Sequence, residues 1–232
     1  GEVWIMKRLT FCPVVMFVLV SAASAFAKRR LVIYCSNEPF ACQAVADAFS
    51  KKYDVKVQMT RSGSGSTYAK ILAEKDNPKG DVWYAGTLDP HSQAGVNGLL
   101  EPYKSPMLKE IGEEFRNPAT SKQHHSAGVY AGVLGYSVNT DVLKEKNLPM
   151  PRSWEDLTKP QYKGLIQVAS PQSSGTAYTV LATMVQLKGE EDAFKYLAKL
   201  HQNVNQYTKS GSAPGKAAAR GETMIGIGFL HD

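Results

Sequence analysis

The spacing of apolar residues predicts alternating strands and helices in the first half of the chain. Residues 31–34 (LVIY) form a continuous apolar, β-branched run, which is typical of a buried parallel strand. Residues 55–59 alternate between apolar and polar, whereas the apolar residues of 41–49 recur at helical spacing. The predicted order is strand 31–34, helix 41–49, strand 55–59, helix 66–75, strand 81–84 and helix 89–96. This order favours a parallel sheet covered by helices on both faces.

The second half of the chain repeats this pattern after a change of character at 126–137. That segment is β-rich and glycine-spaced, and we interpret it as extended chain that crosses between two lobes. The elements predicted after it are helices 140–146, 153–157, 176–187, 190–201 and 214–220 and strands 165–168, 204–207 and 224–229. We expect an α/β fold with lobe 1 at 28–125, a hinge crossover at 126–137 and lobe 2 at 138–232. Because the chain stops directly after a predicted strand, lobe 2 is expected to be incomplete, with the chain truncated at its C-terminus.

The N-terminal segment 1–27 is typical of a secretory signal peptide. A short basic start (MKR at 6–8) precedes an apolar stretch at 14–20, and the AFA at 25–27 has the small residues of a cleavage site. A membrane anchor is the alternative, but the apolar stretch is shorter than the about 20 residues that a spanning helix needs. We therefore expect an exported, periplasmic protein that is cleaved after about Ala27.

The charge balance narrows the class of ligand. The chain has a formal net charge of +6 and no basic run longer than the KRR at 28–30. A mild positive excess of this kind fits an anionic small ligand, whereas nucleic-acid binding is not expected.

Two cysteines remain after Cys12 is removed with the signal peptide. Cys35 is expected at the end of the first strand and Cys42 in the helix that follows. Because exported proteins meet an oxidising compartment, we predict a disulfide between them. Two free buried thiols are the alternative, and a zinc pair is disfavoured because C-x6-C lacks the usual ligand spacing.

Three short segments rich in serine and glycine each precede a predicted helix. They are Ser62, Gly63, Ser64, Gly65 and Ser66 in the first Ser/Gly loop, Ser173, Ser174, Gly175 and Thr176 in the second, and Ser210, Gly211 and Ser212 in the third. The free N–H groups and the dipole at a helix N-terminus favour anions, and glycine lets a ligand approach the backbone. The same residues are also ordinary N-caps. Three such loops in one chain predict a pocket that holds an anion with neutral donors.

Several motifs in their order along the chain resemble those of a known family. These are GDVWY at 80–84, GLLEPY at 98–103, GYSVN at 135–139, PRSWEDL at 151–157, KGLI at 163–166 and GE at 221–222. The chain resembles the two-lobed periplasmic solute-binding proteins of ABC importers, in the ferric-ion-binding branch. The resemblance implies a type II periplasmic binding fold, capture of a solute by hinge closure and delivery to a membrane permease. No cofactor or metal and a monomeric state are expected.

The residues at 226–232 distinguish this chain from the iron-binding subgroup of the family that it resembles. Iron-binding members carry adjacent tyrosines where this chain has GIGFLHD at 226–232. Together with GTLDPH at 86–91, His231 and Asp232 resemble the hexose-phosphate-binding subgroup, which implies contacts from these two residues to the sugar. Ferric ion and 2-aminoethylphosphonate are the alternative ligands.

The predicted ligand contacts are divided between the lobes. Lobe 1 would contribute Ser36, the first Ser/Gly loop, Thr87 and His91, and lobe 2 the other two loops. Thr87 is equally an N-cap of the next helix, and His91 equally a surface residue. A hydrolase is the rival class, but there is no G-x-S-x-G motif, and adjacent residues such as His231 and Asp232 point apart on a strand.

Overall fold

The computed structural model describes residues 29–113 and 125–231, so the predicted signal peptide at 1–27 lies outside the described part. Within these residues the chain forms a three-stranded sheet followed by a four-stranded sheet. No helix among the described residues has the length and apolarity required to cross a membrane.

The first sheet is parallel, as predicted. Its elements are β1 (Arg30–Cys35), α1 (Pro39–Tyr53), β2 (Lys56–Arg61), α2 (Ser64–Ala73), β3 (Val82–Tyr84) and α3 (Leu88–Val96). The strands lie in the order β2-β1-β3, and Cys35 is in register with both Arg61 and Tyr84. Because all three strands end at the same level, the residues that follow them lie along one edge of the sheet.

The second sheet is mixed. Its elements are β4 (Leu134–Val138), α4 (Thr140–Glu145), β5 (Ile166–Ala169), α5 (Gly175–Lys188), α6 (Glu190–His201), β6 (Val204–Thr208), α7 (Ala213–Ala219) and β7 (Ile225–Phe229). The order is β4-β7-β5-β6, with β5 parallel to both neighbours and β4 antiparallel to β7. Three 3-10 turns, Pro106–Glu110, Glu155–Thr158 and Pro160–Tyr162, complete the regular structure of the described residues.

Local sequence explains where the long helices of the second half begin and end. The Ser174 side chain caps α5 by accepting a hydrogen bond from the Ala177 N–H. Gly189, at φ 75°, separates α5 from α6 in a left-handed conformation that favours glycine. Acidic residues in the first turn of α6 and basic residues in its last turn both complement the helix dipole.

Each sheet has its own apolar core. The larger core packs around buried Ile166, Ile225 and Ile227, with α5 and α6 contributing Met184 and Leu200. The smaller core contains Ile33, Cys35 and Cys42. The two cores share no residue in the described part of the chain, so the two sheets are held by separate sets of contacts.

The predicted disulfide is present between the end of β1 and α1. The sulfur atoms of Cys35 and Cys42 lie 2.05 Å apart, and the Cα atoms 6.0 Å. Both residues are buried. The bond encloses residues 36–41, which include the connection that follows β1.

The crossover segment differs in part from the prediction. Residues 134–137, expected to be linking chain, belong to β4 because Leu134 and Tyr136 pack against the larger core. Residues 126–133 have no regular secondary structure. The short helix predicted at 153–157 is the 3-10 turn Glu155–Thr158. The lobe boundaries and the hinge role remain predictions.

Candidate ligand-binding site

All three Ser/Gly loops begin helices, as predicted. Gly63 is the N-cap of α2, Ser174 of α5 and Ser212 of α7. The first loop follows β2, and the other two follow β5 and β6. The carboxyl ends of strands in both sheets therefore carry the segments singled out from the sequence.

The first and second loops touch backbone to backbone. The Ser66 N–H donates to the Ser173 carbonyl oxygen at 3.4 Å. A Cβ atom on Gly63 would lie 2.3 Å from that same oxygen, and one on Gly65 would lie 2.4 Å from the Gln172 oxygen. Glycine is required at both positions, because a side chain would separate the two loops.

Thr87, the N-cap of α3, lies beside the contact between the first and second loops. The N-termini of α2, α3 and α5 therefore come together there. The Thr87 N–H donates to Ser64 Oγ at 3.3 Å. A Cβ atom on Gly175, the first residue of α5, would lie 2.1 Å from Thr87 Oγ1 and 2.9 Å from Ser64 Oγ. The Thr87 hydroxyl is buried and has no hydrogen-bond partner among the residues that the structure describes. The positive ends of α2, α3 and α5 thus converge beside an unsatisfied donor, which is an arrangement suited to an anion.

A small cavity of about 50 Å³ lies between the loops. Its wall includes most of the predicted ligand contacts. They are Ser36, Gly63, Ser64, Thr87, Ser174, Gly175, Thr176, Ser210, Gly211, Ser212 and His231. One buried water needs roughly 10–15 Å³, so the cavity has room for a few waters or a phosphoryl group. A solute as large as a hexose phosphate requires the two walls to move apart.

Other predicted residues support the wall without lining it. Ser62 Oγ lies 2.7 Å from Oγ1 of the buried Thr67, and that atom also lies 3.1 Å from Oγ of the wall residue Ser36. Ser173 Oγ donates to the Lys209 carbonyl oxygen at 3.1 Å. Gly65 and Ser66 hold the backbone contact described above. These residues fix the loops through hydrogen bonds within the protein.

The structure places His91 away from the small cavity. Its ring stacks on Trp83 with centroids 3.7 Å apart, and Nε2 lies 2.9 Å from the Ala85 carbonyl oxygen. Burial lowers the pKa of His91, although the hydrogen bond to Ala85 opposes that shift. His91 instead lines a larger cavity of about 930 Å³ beside β3, which shares Gly86 and Tyr130 with the small one.

The end of the described chain reaches the small cavity through His231. Its ring stacks on Phe229 at 5.4 Å and meets Tyr130 edge-on at 6.1 Å. The Tyr130 hydroxyl accepts from the Gly86 N–H at 3.1 Å, which ties residues 125–133 to the turn after β3. Asp232, predicted to act with His231, lies outside the described residues.

Two charged side chains that the sequence analysis did not single out, Glu38 and Arg61, also line the cavity. Ser212 Oγ donates to Glu38 Oε1 at 2.6 Å, Lys216 Nζ donates to Oε2, and Arg61 Nη2 lies 3.8 Å from Oε1. Arg61 also donates to the Asn37 carbonyl oxygen at 2.9 Å. Burial opposes ionisation of Glu38, but hydrogen bonds from Lys216 and Ser212 hold its pKa below the ordinary value.

Comparison with known proteins adds a family and several relatives. The family model described as bacterial extracellular solute-binding protein matches residues 77–232. A Haemophilus influenzae protein, described only as uncharacterized, is 54% identical over 215 residues, which are 92% of this chain and 62% of that protein. The major ferric iron-binding protein of Neisseria meningitidis is 27% identical over 202 residues, 86% of this chain and 59% of its own.

A solved structure resembles the chain more closely than the iron-binding relative does. The periplasmic binding protein AfuA from Actinobacillus pleuropneumoniae, solved with exogenous fructose 6-phosphate bound, is 57% identical with a TM-score of 0.86. The match covers 88% of this chain and 65% of AfuA. The chain thus spans less than two thirds of the length of these relatives.

Proposed function

Because the chain belongs to the bacterial extracellular solute-binding protein family, we propose that it captures a small phosphorylated solute, a hexose phosphate, between its two halves. In this proposal it is the periplasmic component of an ABC importer and delivers the solute to a membrane permease. The observation that carries the proposal is the convergence of three helix N-termini on the unpartnered hydroxyl of Thr87. AfuA, at 57% identity, was solved with fructose 6-phosphate bound.

The phosphoryl group would lie at the meeting point of α2, α3 and α5. Phosphoryl oxygens accept several hydrogen bonds, and the first N–H groups of each helix have no partner within the helix. The Thr87 hydroxyl adds a donor that no atom in the described part of the chain uses. Neutral donors at helix ends hold a dianion without a bulky cationic side chain, which leaves room for the rest of the solute.

The sugar would extend along the wall toward Glu38, Ser210, Ser212 and His231. Hydroxyl groups both donate and accept, so a carboxylate, two serine hydroxyls and an imidazole match them.

Capture requires the walls to separate and close, with 126–137 as the proposed hinge. Binding without turnover, a monomeric state and export through the segment 1–27 complete the proposal.

Ferric ion is the second candidate, since an iron-binding protein is among the relatives. Phe229 stands in the small cavity wall beside His231 and supplies no oxygen ligand. Fe³⁺ favours anionic oxygen ligands. The wall described here therefore favours a phosphorylated solute over the metal.

Calorimetric titration of the full-length gene product tests the proposal. Fructose 6-phosphate, glucose 6-phosphate, 2-aminoethylphosphonate, inorganic phosphate and ferric citrate are titrated separately. We expect the hexose phosphates to bind tightest. Their NMR spectra should stay the same over hours of incubation with the protein, because the solute is bound and not converted to product. Binding of ferric ion alone would overturn the assignment, and conversion of a sugar phosphate to product would establish an enzyme instead.

A further inference from the structure

The cavity wall contains a carboxylate where an anion-binding protein would be expected to place cations. Glu38 lies in the connection between β1 and α1, between the buried disulfide at Cys35 and Pro39, which begins the helix. Its side chain is only 17% exposed and lines the small cavity. A buried charge is costly unless it is paired, so its partners explain its presence.

Those partners would suit an anion from solution equally well. Ser212 supplies a hydroxyl donor at 2.6 Å, Lys216 an ammonium group and Arg61 a guanidinium at 3.8 Å. Arg61 also reaches Ser210 Oγ at 3.4 Å. One hydroxyl and two cations around a single position are the usual surroundings of a phosphate. In this protein the position is filled by the carboxylate of Glu38.

Glu38 and the residues at the three helix N-termini line the same small cavity. A line of contacts runs from Thr87 to Glu38 through Gly175, Thr176, Gly211 and Ser212. Thr87 and its neighbours offer uncharged donors, whereas Glu38 offers a carboxylate whose cations are already engaged. The two positions therefore differ in the ligand groups that they favour.

We propose that Glu38 acts as a built-in counter-anion that reserves the site for solutes with one phosphoryl group. Its carboxylate occupies the place where a second phosphate would bind, and it accepts hydrogen bonds from hydroxyl groups of the solute instead. An ionised carboxyl has about four acceptor positions, so bonds from Ser212 and Lys216 leave capacity for a hydroxyl. This inference rests on the proposed function and specifies the substrate class within it.

Fructose 6-phosphate and fructose 1,6-bisphosphate are suitable probes, because they differ by a single phosphoryl group. We expect wild-type full-length protein to prefer the monophosphate by at least about tenfold, the scale of one charged hydrogen bond. In Glu38→Gln the cations Lys216 and Arg61 lose their anion, so the preference should vanish or reverse in favour of the bisphosphate. Glu38→Asp, which keeps the charge, should keep the preference.

Glu74→Gln is the matched control. Glu74 also accepts a hydrogen bond from a hydroxyl, Tyr34 at 2.6 Å, and pairs with a lysine, Lys70 at 3.3 Å. It is not part of the small cavity wall. Removing its charge should leave the ratio of the two affinities unchanged.

A second variant keeps the test decisive if Glu38→Gln does not fold. Lys216→Met retains the carboxylate but removes a cation, so it should strengthen discrimination against the bisphosphate. Unchanged discrimination in a folded Glu38→Gln protein that still binds fructose 6-phosphate would overturn the role of Glu38 and leave the proposed function standing. If the wild type binds neither sugar, the proposed function fails and the inference fails with it.

Discussion

Gly175 and Thr87 meet so closely that a methyl group on the glycine would lie 2.1 Å from the threonine Oγ1. Gly175 begins α5 beside the second sheet, and Thr87 precedes α3 beside the first. A close contact between the two halves therefore coincides with the proposed phosphate position. This contact has consequences that substitution can measure.

Gly175→Ala should impair closure around the solute. The added methyl group overlaps Thr87 Oγ1, so the walls must stay apart or the backbone must shift, at a cost of about 1–3 kcal/mol. We expect at least a tenfold loss of fructose 6-phosphate affinity by calorimetry. Gly215→Ala is the control, because its methyl would meet only Ser137 Oγ at an ordinary 3.8 Å. Equal affinities for both variants would contradict the closed contact.

Thr87→Val should lower the affinity for the solute without lowering the stability of the protein. Within residues 29–113 and 125–231 the buried hydroxyl has no partner, so its removal relieves an unsatisfied polar group and leaves the melting temperature unchanged or raised. Affinity for a phosphorylated solute should fall about tenfold or more, because a donor to the phosphate is lost.

Thr67→Val provides the contrasting result. Thr67 Oγ1 is hydrogen-bonded to Ser36 and Ser62, so its loss should destabilise the protein by about 1–3 kcal/mol. If Thr87→Val lowered the melting temperature as much as Thr67→Val, the Thr87 hydroxyl would have a structural partner and not a ligand role.

Reduction of the disulfide should destabilise the half of the molecule that contains β1. The bond closes a short loop with a sequence separation of 7, for which the chain-entropy model gives about 2 kcal/mol. Melting temperatures of the wild type with and without reductant, and of Cys35→Ser/Cys42→Ser, should show this loss. A reductant effect that persists in the double variant would have another origin.

Acid should weaken the bridge between Glu38 and Lys216. The pKa of Glu38 is lower in the folded protein than its ordinary 4.5. The ionised carboxylate therefore contributes its full stabilisation above about pH 4.5, and this stabilisation is lost as the pH falls through the lower pKa of the folded state. The melting temperature of the wild type should therefore drop toward that of Glu38→Gln below about pH 4.5. A difference between them that is constant from pH 7 to pH 3 would rule out this ionisation.

The sequence predicted helix starts and the disulfide well, because local rules apply there. Serine and glycine before an apolar helix predicted the starts of α2, α5 and α7, and cysteines at the end of β1 and in α1 predicted the disulfide. Order and spacing of motifs led to the two-lobed periplasmic binding fold. The similarity to AfuA confirms that fold class.

Interactions between distant parts of the chain were missed. Glu38 and Lys216 are 178 residues apart, so no local pattern connects them. One signal was present, because Glu38 and Arg61 stand at the carboxyl ends of neighbouring parallel strands, where ligands bind in α/β sheets. His91 was chosen from its motif, but the depth of its packing on Trp83 depends on tertiary contacts.

The separation of the two apolar cores has a consequence for how the molecule unfolds. Since the cores have no described residue in common, each half can melt at its own temperature. A solute that contacts both halves would couple their unfolding. The two overlapping heat-absorption peaks expected of the free protein should then become one sharper peak when the site is saturated. The cooperativity of unfolding, in addition to the midpoint, would then report whether a bound compound bridges the cleft or touches one side of it.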